Sequence, residues 1–396
     1  MKYKIFSLLL LVVGSTAWAQ DSTSTLALQA SQNYASLKPG KSKFMLRGYY
    51  HSGFESIAQG EHTNNNFNSG NIAPILMFKQ SDKLFFEAEF EGGYEMGEFE
   101  WGIEYSDMSY ILNKYMTIRA GKFLLPFGSF MEKLHPAWVN RLATRPLGFG
   151  HDGVAPSSDV GIEVRGAFYA GNIKLNYQVY TVNGPQLKDG SDEPDEAGML
   201  KFGYMEDNNN NKAIGGRIGI FPFSNSMMEL GFSGLSGVAG ADESVYEGIR
   251  ANLYAIDLSF VKNISALQSV IDIKGQYNFS QIDDANYLVP DDTSGLFYDY
   301  NNASNAYYAQ LSIRPSLVSN EFLRKLELVG RYSALNTPEG ALWEQNATQL
   351  ALGLNYWIDW RTVVKIGYQT TDGLGGHDSA SPETQNMLYI HWAMGF

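Results

Sequence analysis

Leu388-Tyr389-Ile390-His391-Trp392-Ala393-Met394-Gly395-Phe396 closes the chain, and apolar residues alternate with small or polar ones through all nine positions. In an extended strand successive side chains point to opposite faces. Leu388, Ile390, Trp392, Met394 and Phe396 therefore share one face, and Tyr389, His391, Ala393 and Gly395 share the other. A last strand with one wholly apolar face, ending on phenylalanine, is the pattern expected of a membrane β-barrel, whose lipid side must be apolar at every second position. A half-buried edge strand of a soluble sandwich could alternate over the same length, so the rest of the chain has to decide.

At the other end, Lys2 and Lys4 precede an apolar run from Ile5 to Val13, and Ala17-Trp18-Ala19 supplies a small-residue cleavage site. This predicts a signal peptide over 1–19 and export of the chain. There is no cysteine, hence neither a lipid-modified cysteine nor a disulfide framework. Beyond the leader no run of about 18 apolar residues occurs, which excludes helical spans and leaves a closed barrel as the way across a bilayer. The 40 Gly, 24 Tyr, 23 Phe and 7 Trp suit such a wall, with aromatic girdles at its two interfaces. A net charge of -13 argues against a nucleic-acid partner, which needs a basic stripe.

Period-two segments recur from 43 to the end, sixteen in all, joined alternately by short turns such as Ser81-Asp82 and Asn113-Lys114 and by long polar stretches such as 124–159, 183–212 and 281–304. The expected fold is all-β: a transmembrane antiparallel up-and-down β-barrel of about 16 strands over 43–396, preceded by an N-terminal arm at 20–42. An even count puts both termini on the periplasmic side, with seven turns there and eight loops outside. The second segment is expected at 70–80, after a loop, and the stretches 183–212 and 281–304 read as outer loops solvated by their charges.

If the parity of Phe396 marks lipid, Leu84, Phe86, Ala88 and Phe90 face out and leave Glu87, Glu89 and Glu91 inside. Phe99, Trp101, Ile103 and Tyr105 likewise face out, leaving Glu98, Glu100 and Glu104 inside. Six carboxylates so close require protonation, bound cations or basic partners. The same parity turns Arg47, Arg119, Arg165, Lys174, Arg217, Lys274, Arg314, Arg331 and Lys365 inward, so the lumen is of mixed charge. The stretch Lys122 to His151 carries Lys122, Lys133, Arg141 and Arg145 against Glu132, with Phe127, Phe130, Trp138 and Phe149. An outer loop that apolar prefers shelter, and the barrel interior offers it. It is expected to fold inward and narrow the pore, setting Arg119, Lys122, Lys133, Arg141 and Arg145 against Glu87, Glu89, Glu98 and Glu100.

Asp107 and Tyr110, then Gly121-Lys122-Phe123, Pro126-Phe127-Gly128 and the run Val160 to Gly166, resemble the phosphate-selective porins O and P of Gram-negative bacteria. Leu352 to Trp357 with Lys365 to Tyr368 is similar to that family's closing hairpin. The resemblance implies a sixteen-stranded homotrimeric porin with an inward third loop, conducting phosphate past arginines and a small lysine cluster. Lys122 is the lysine that carries over. Residues 237–248 hold no lysine but Asp242, Glu243 and Glu247, and Asn140 stands where the family has an acidic residue.

Catalysis needs a constellation, and none is visible. The six histidines are scattered, Ser233 and Ser236 in GFSGLSG do not complete a nucleophile elbow, and Asp207 to Lys212 lacks the glycine and distal glutamate of a calcium loop. No enzyme activity, cofactor or metal is expected. The reading is an outer-membrane porin passing small hydrophilic solutes or ions, surrounded by lipid. The alternatives are a phosphate- or anion-selective channel and a non-conducting adhesion barrel that works through its outer loops.

Overall fold

A computed structural model describes residues 42–396 except 69, 96–97, 151–152, 204–205, 291–295 and 375–382. The leader and the arm, save Ser42, lie outside the described residues, as do the side chains of Glu95, Glu98, Leu374 and Glu383.

The period-two segments form one antiparallel sheet that closes on itself. Its strands are β1 (Lys43–Gln59), β2 (His62–Asn68, resumed at Ile72–Lys79), β3 (Leu84–Glu95), β4 (Glu98–Asn113), β5 (Met116–Leu124), β6 (Ser158–Ala170), β7 (Ile173–Val182) and β8 (Ala213–Phe221). They continue with β9 (Met228–Val238), β10 (Arg250–Ile264), β11 (Ser269–Ile282), β12 (Ala303–Arg314), β13 (Leu326–Asn336), β14 (Asn346–Trp357), β15 (Thr362–Leu374) and β16 (Glu383–Gly395). Each pairs with its neighbour in sequence, and β16 returns to β1 from Tyr49↔Gly395 to Gln59↔Gln385. Closure pairs the edge groups that hydrocarbon could not satisfy. The chain is thus a sixteen-stranded barrel, and the terminal strand has the expected parity: Leu388, Ile390 and Trp392 are about half exposed on the outside, while Tyr389, His391 and Ala393 are buried.

Three expectations are corrected. The second strand starts at His62, not 70, and a two-residue turn at Gly60-Glu61 joins it to β1 through Gln59↔His62. HTNNNFN has no apolar alternation to announce a strand; pairing with β1 carries it, aided by Phe67 against Phe54 and Asn68 Nδ2 donating to Glu55, with all seven residues exposed. Tyr105 faces the lumen. Glu89 pairs with Tyr105 but Phe90 with Ile103, so Glu104 is the extra residue of a β-bulge. Both Glu104 and Tyr105 then lie on the inner side, because one inserted residue reverses the parity beyond it.

The third correction concerns the outer loops between β7 and β8 and between β11 and β12. They are not merely solvated. Tyr287 stacks between Tyr246 and Tyr300 at centroid distances of 5.6 and 5.5 Å. Tyr300 Oη and Trp343 Nε1 both donate to the Ala197 carbonyl, at 2.7 and 2.9 Å. Charged ends surround an aromatic cap that parity cannot reveal, since its tyrosines come from different loops. The calcium-like stretch serves as a clasp: Asn209 Nδ2 donates to the carbonyls of Val238 and Gly240, and the Lys212 ammonium pairs with Asp207.

Candidate functional site

The third loop, 125–157, leaves the end of β5 and enters the barrel. Its first leg, Leu125 to Phe127, packs against Tyr180, Val182, Leu235 and Leu253 of β7, β9 and β10. Full burial of a phenylalanine such as Phe127 contributes up to about 3 kcal/mol. The chain then turns at Gly128, where φ is 65° and a Cβ would lie 1.9 Å from Gln276 Nε2. Only glycine fits there, and the fit lets the wall hold the loop. Gly128 N–H donates to Ser233 Oγ at 3.0 Å, and the N–H groups of Ser129 and Phe130 donate to Gln276 Oε1 at 2.8 and 3.0 Å. Ser233, whose GFSGLSG setting does not complete a nucleophile elbow, is a docking acceptor.

One helical turn follows, α1 (Phe130–Leu134). Phe130 joins Phe149 and Tyr308 of β12 in an edge-to-face cluster with centroids 5.1 to 5.7 Å apart. Leu142 packs on Val329 and Ala351, and Ala137 and Trp138 pack on Trp357, Val363 and Ala393. Between these contacts the loop is irregular, and irregular backbone at membrane depth must find partners within the protein. Lumen cations provide them. Lys365 Nζ donates to the carbonyls of Ala137, Asn140 and Leu142 at 2.6, 2.7 and 3.3 Å. Arg331 donates to the carbonyls of Thr144 and Arg145, and Asn355 Nδ2 to that of Arg141.

The expected site residues are distributed as follows. Lys133 forms a salt bridge with Glu229 of β9 at 2.9 Å. Arg141 reaches Glu327 of β13 at 3.2 Å and Asp272 of β11 at 3.7 Å, with its guanidinium 5.1 Å from the Trp357 ring centre. Both loop cations thus turn to the wall of β9 to β13, away from the glutamates of β3 and β4. Arg119 stands beside those glutamates on β5 and pairs with Glu163 at 2.5 Å, with Asp107 at 3.9 Å. Lys122 Nζ donates to the Ile103 carbonyl at 2.8 Å. Arg145 and Lys122 border one cavity with Glu100. Glu87 and Glu89 border another, with Arg119. The Glu98 side chain lies outside the described residues.

Parity did not anticipate the group that stands against the glutamates. His135, just after α1, places Nε2 3.5 Å from Glu89 Oε1, and the Tyr49 ring lies edge-on to its imidazole. On the loop itself, burial would raise the Glu132 carboxyl, but Arg165, Arg119 and Lys133 outweigh it and hold the group below the usual carboxylate range. Open lumen on this side, among the described residues, includes two spaces that both border His135. One of about 770 Å³ is bordered by Glu91, Glu100 and Glu104; one of about 420 Å³ is bordered by Glu87, Asp107 and Arg165.

No protein-family model matches the chain, and no curated protein matches it. Solved structures do. The outer-membrane channel DcaP of Acinetobacter baumannii superposes with a TM-score of 0.60 at 10% identity, over 91% of this chain and 99% of that one. An anion-selective porin from Comamonas acidovorans gives 0.57 at 13% identity, over 90% and 100%. Salmonella typhi OmpF, in complex with daunomycin, gives 0.55 at 12% identity, over 89% and 98%. At these identities the likeness is one of fold, and the fold is that of bacterial outer-membrane porins.

Proposed function

We propose that the chain is a passive diffusion channel of the bacterial outer membrane, in which small hydrophilic solutes or ions pass between the β1–β5 wall and the third loop. The observation that carries this reading is the pair of polar spaces meeting at His135, in a barrel whose other side is packed by the loop. A sixteen-stranded wall is wide enough for a water-filled lumen, whereas an eight-stranded one is filled by its own side chains. On this reading Glu87, Glu89 and Glu100 border the path, Arg119, Lys122 and Arg145 temper it, and Lys133 and Arg141 set its width by fixing the loop. Lipid surrounds the outer face, phosphate is one of the candidate solutes, and the assembly is a homotrimer.

Purified chain in planar bilayers should give discrete conductance steps, and liposomes that carry it should swell in isotonic small sugars. Barrels that insert and show neither behaviour would overturn the reading in favour of a closed barrel working through its outer loops.

A further inference from the structure

We infer that the passage favours cations, and that its preferred solutes are small monovalent and organic ammonium ions drawn along Glu87, Glu89 and Glu91. This rests on the diffusion-channel reading and adds the charge class.

Alternation along β3 sets these carboxylates about 7 Å apart on the lumen face. Each is held by a neutral donor. Tyr105 Oη donates to Glu87 at 2.9 Å, Tyr49 Oη to Glu89 at 2.8 Å, and Asn71 Nδ2 to Glu91 at 2.6 Å. A phenol or an amide orients a carboxylate without cancelling its charge, whereas a lysine or arginine would do both. Among the described residues neither Glu87 nor Glu91 is in an ion pair, and Glu89 meets only the His135 imidazole.

The cations account for themselves independently. Lys133 and Arg141 are spent on the opposite wall, and Arg331 and Lys365 on loop carbonyls. Arg119 and Arg165, which border the space of about 420 Å³, share Glu163, and Arg165 also pairs with Glu132. Arg47, Lys122 and Arg145 remain at the two spaces, facing the carboxylates of β3 together with Glu100. Acid outweighs base along the path. His135, its side chain 6% exposed, turns Nδ1 to the Met131 carbonyl and places Nε2 3.5 Å from Glu89, so Glu89 is the member of the row that faces an imidazole. A row of carboxylates in excess of the cations that face it concentrates cations and repels anions in a narrow passage. Its spacing offers successive sites, so an ion can leave one as it nears the next.

The test is the reversal potential of the full-length chain in planar bilayers under a KCl gradient, with choline chloride as the organic cation. The expected result is a K⁺/Cl⁻ permeability ratio several-fold above one, falling toward one in the Glu87→Gln/Glu91→Gln variant. Glu344→Gln, in the loop between β13 and β14 and bordering a cavity with Val154 and Trp343, should leave the ratio unchanged. Conducting wild-type channels with an unselective or anion-selective potential would overturn the inference and leave the channel reading standing. Absence of any conductance would overturn both. Should the double variant not fold, the single variant Glu100→Gln and the wild-type potential still decide; an unchanged ratio in a folded double variant would remove the assignment to β3.

Discussion

Along β3 the lumen carboxylates are held by tyrosine and asparagine, whereas from β8 to β15 charged groups hold one another or the third loop. Arg217 is buried between Asp257 and Glu229, with contacts of 2.6 and 2.9 Å, and Glu229 also takes Lys133. Lys274 is 2.7 Å from Asp272, which also faces Arg141. The inventory of residue types is similar on the two sides; the partners differ. On one side charge is cancelled and becomes structure, because a buried ion must be paired and hydrogen-bonded to be tolerated. On the other it is oriented but left in place, next to the open spaces. Facing the lumen therefore does not make a residue part of the conduction path.

Deleting 128–150 attacks this contrast hardest. The packed side would lose its filling, and single-channel conductance should rise several-fold. An unchanged conductance would mean that the loop does not set the width. Lys365→Met is a narrower cut, since it leaves the carbonyls of Ala137, Asn140 and Leu142 without their donor. Loss of these charge-assisted bonds should weaken loop docking by on the order of 3 kcal/mol. The checks are faster proteolytic nicking within the loop and a noisier open-channel current. Glu91→Gln, on the other side, should leave the loop as protected as in the wild type; equal loosening by both variants would erase the distinction between the two sides.

Much of the fold is legible in the sequence because a lipid-facing wall imposes a strict two-residue period, and Leu388 to Phe396 shows it without interruption. The period fails where something other than lipid sets the pattern. His62–Asn68 is a strand through its pairing with β1, and the bulge at Glu104 shifts the face of Tyr105 through one extra residue. The site is legible to a lesser depth. Parity turns Arg331 and Lys365 inward, but that they bind loop carbonyls depends on the path of a segment with no period at all. The same holds for His135, whose place against Glu89 follows from the turn at Gly128 and the docking on Gln276.

The aromatic cap sharpens the comparison from outside. A cavity of about 540 Å³ lies between the loop residue Val154 and the outer-loop residues Met199 and Trp343, so the cap stands over the packed side. Tyr287 is fully buried, and burial, reinforced by Tyr246 and Tyr298, pushes its phenol up to about 12; Tyr300 is raised as well, chiefly by burial. An unfolded tyrosine titrates near pH ~10. Because the folded value is the higher one, the stability contributed by Tyr287 is fully present below pH ~10 and is lost as pH rises through about 12. The cap should therefore open only in strong alkali, seen as tyrosinate absorbance appearing with new protease sensitivity at 194–200, 286–288 and 297–300, and Tyr287→Phe should move that transition upward. Conductance should change least of all, because the proposed path runs past Glu91 and Glu100 on the other side. A conductance step coinciding with cap opening would place the entrance over the packed side and break the division drawn between the two.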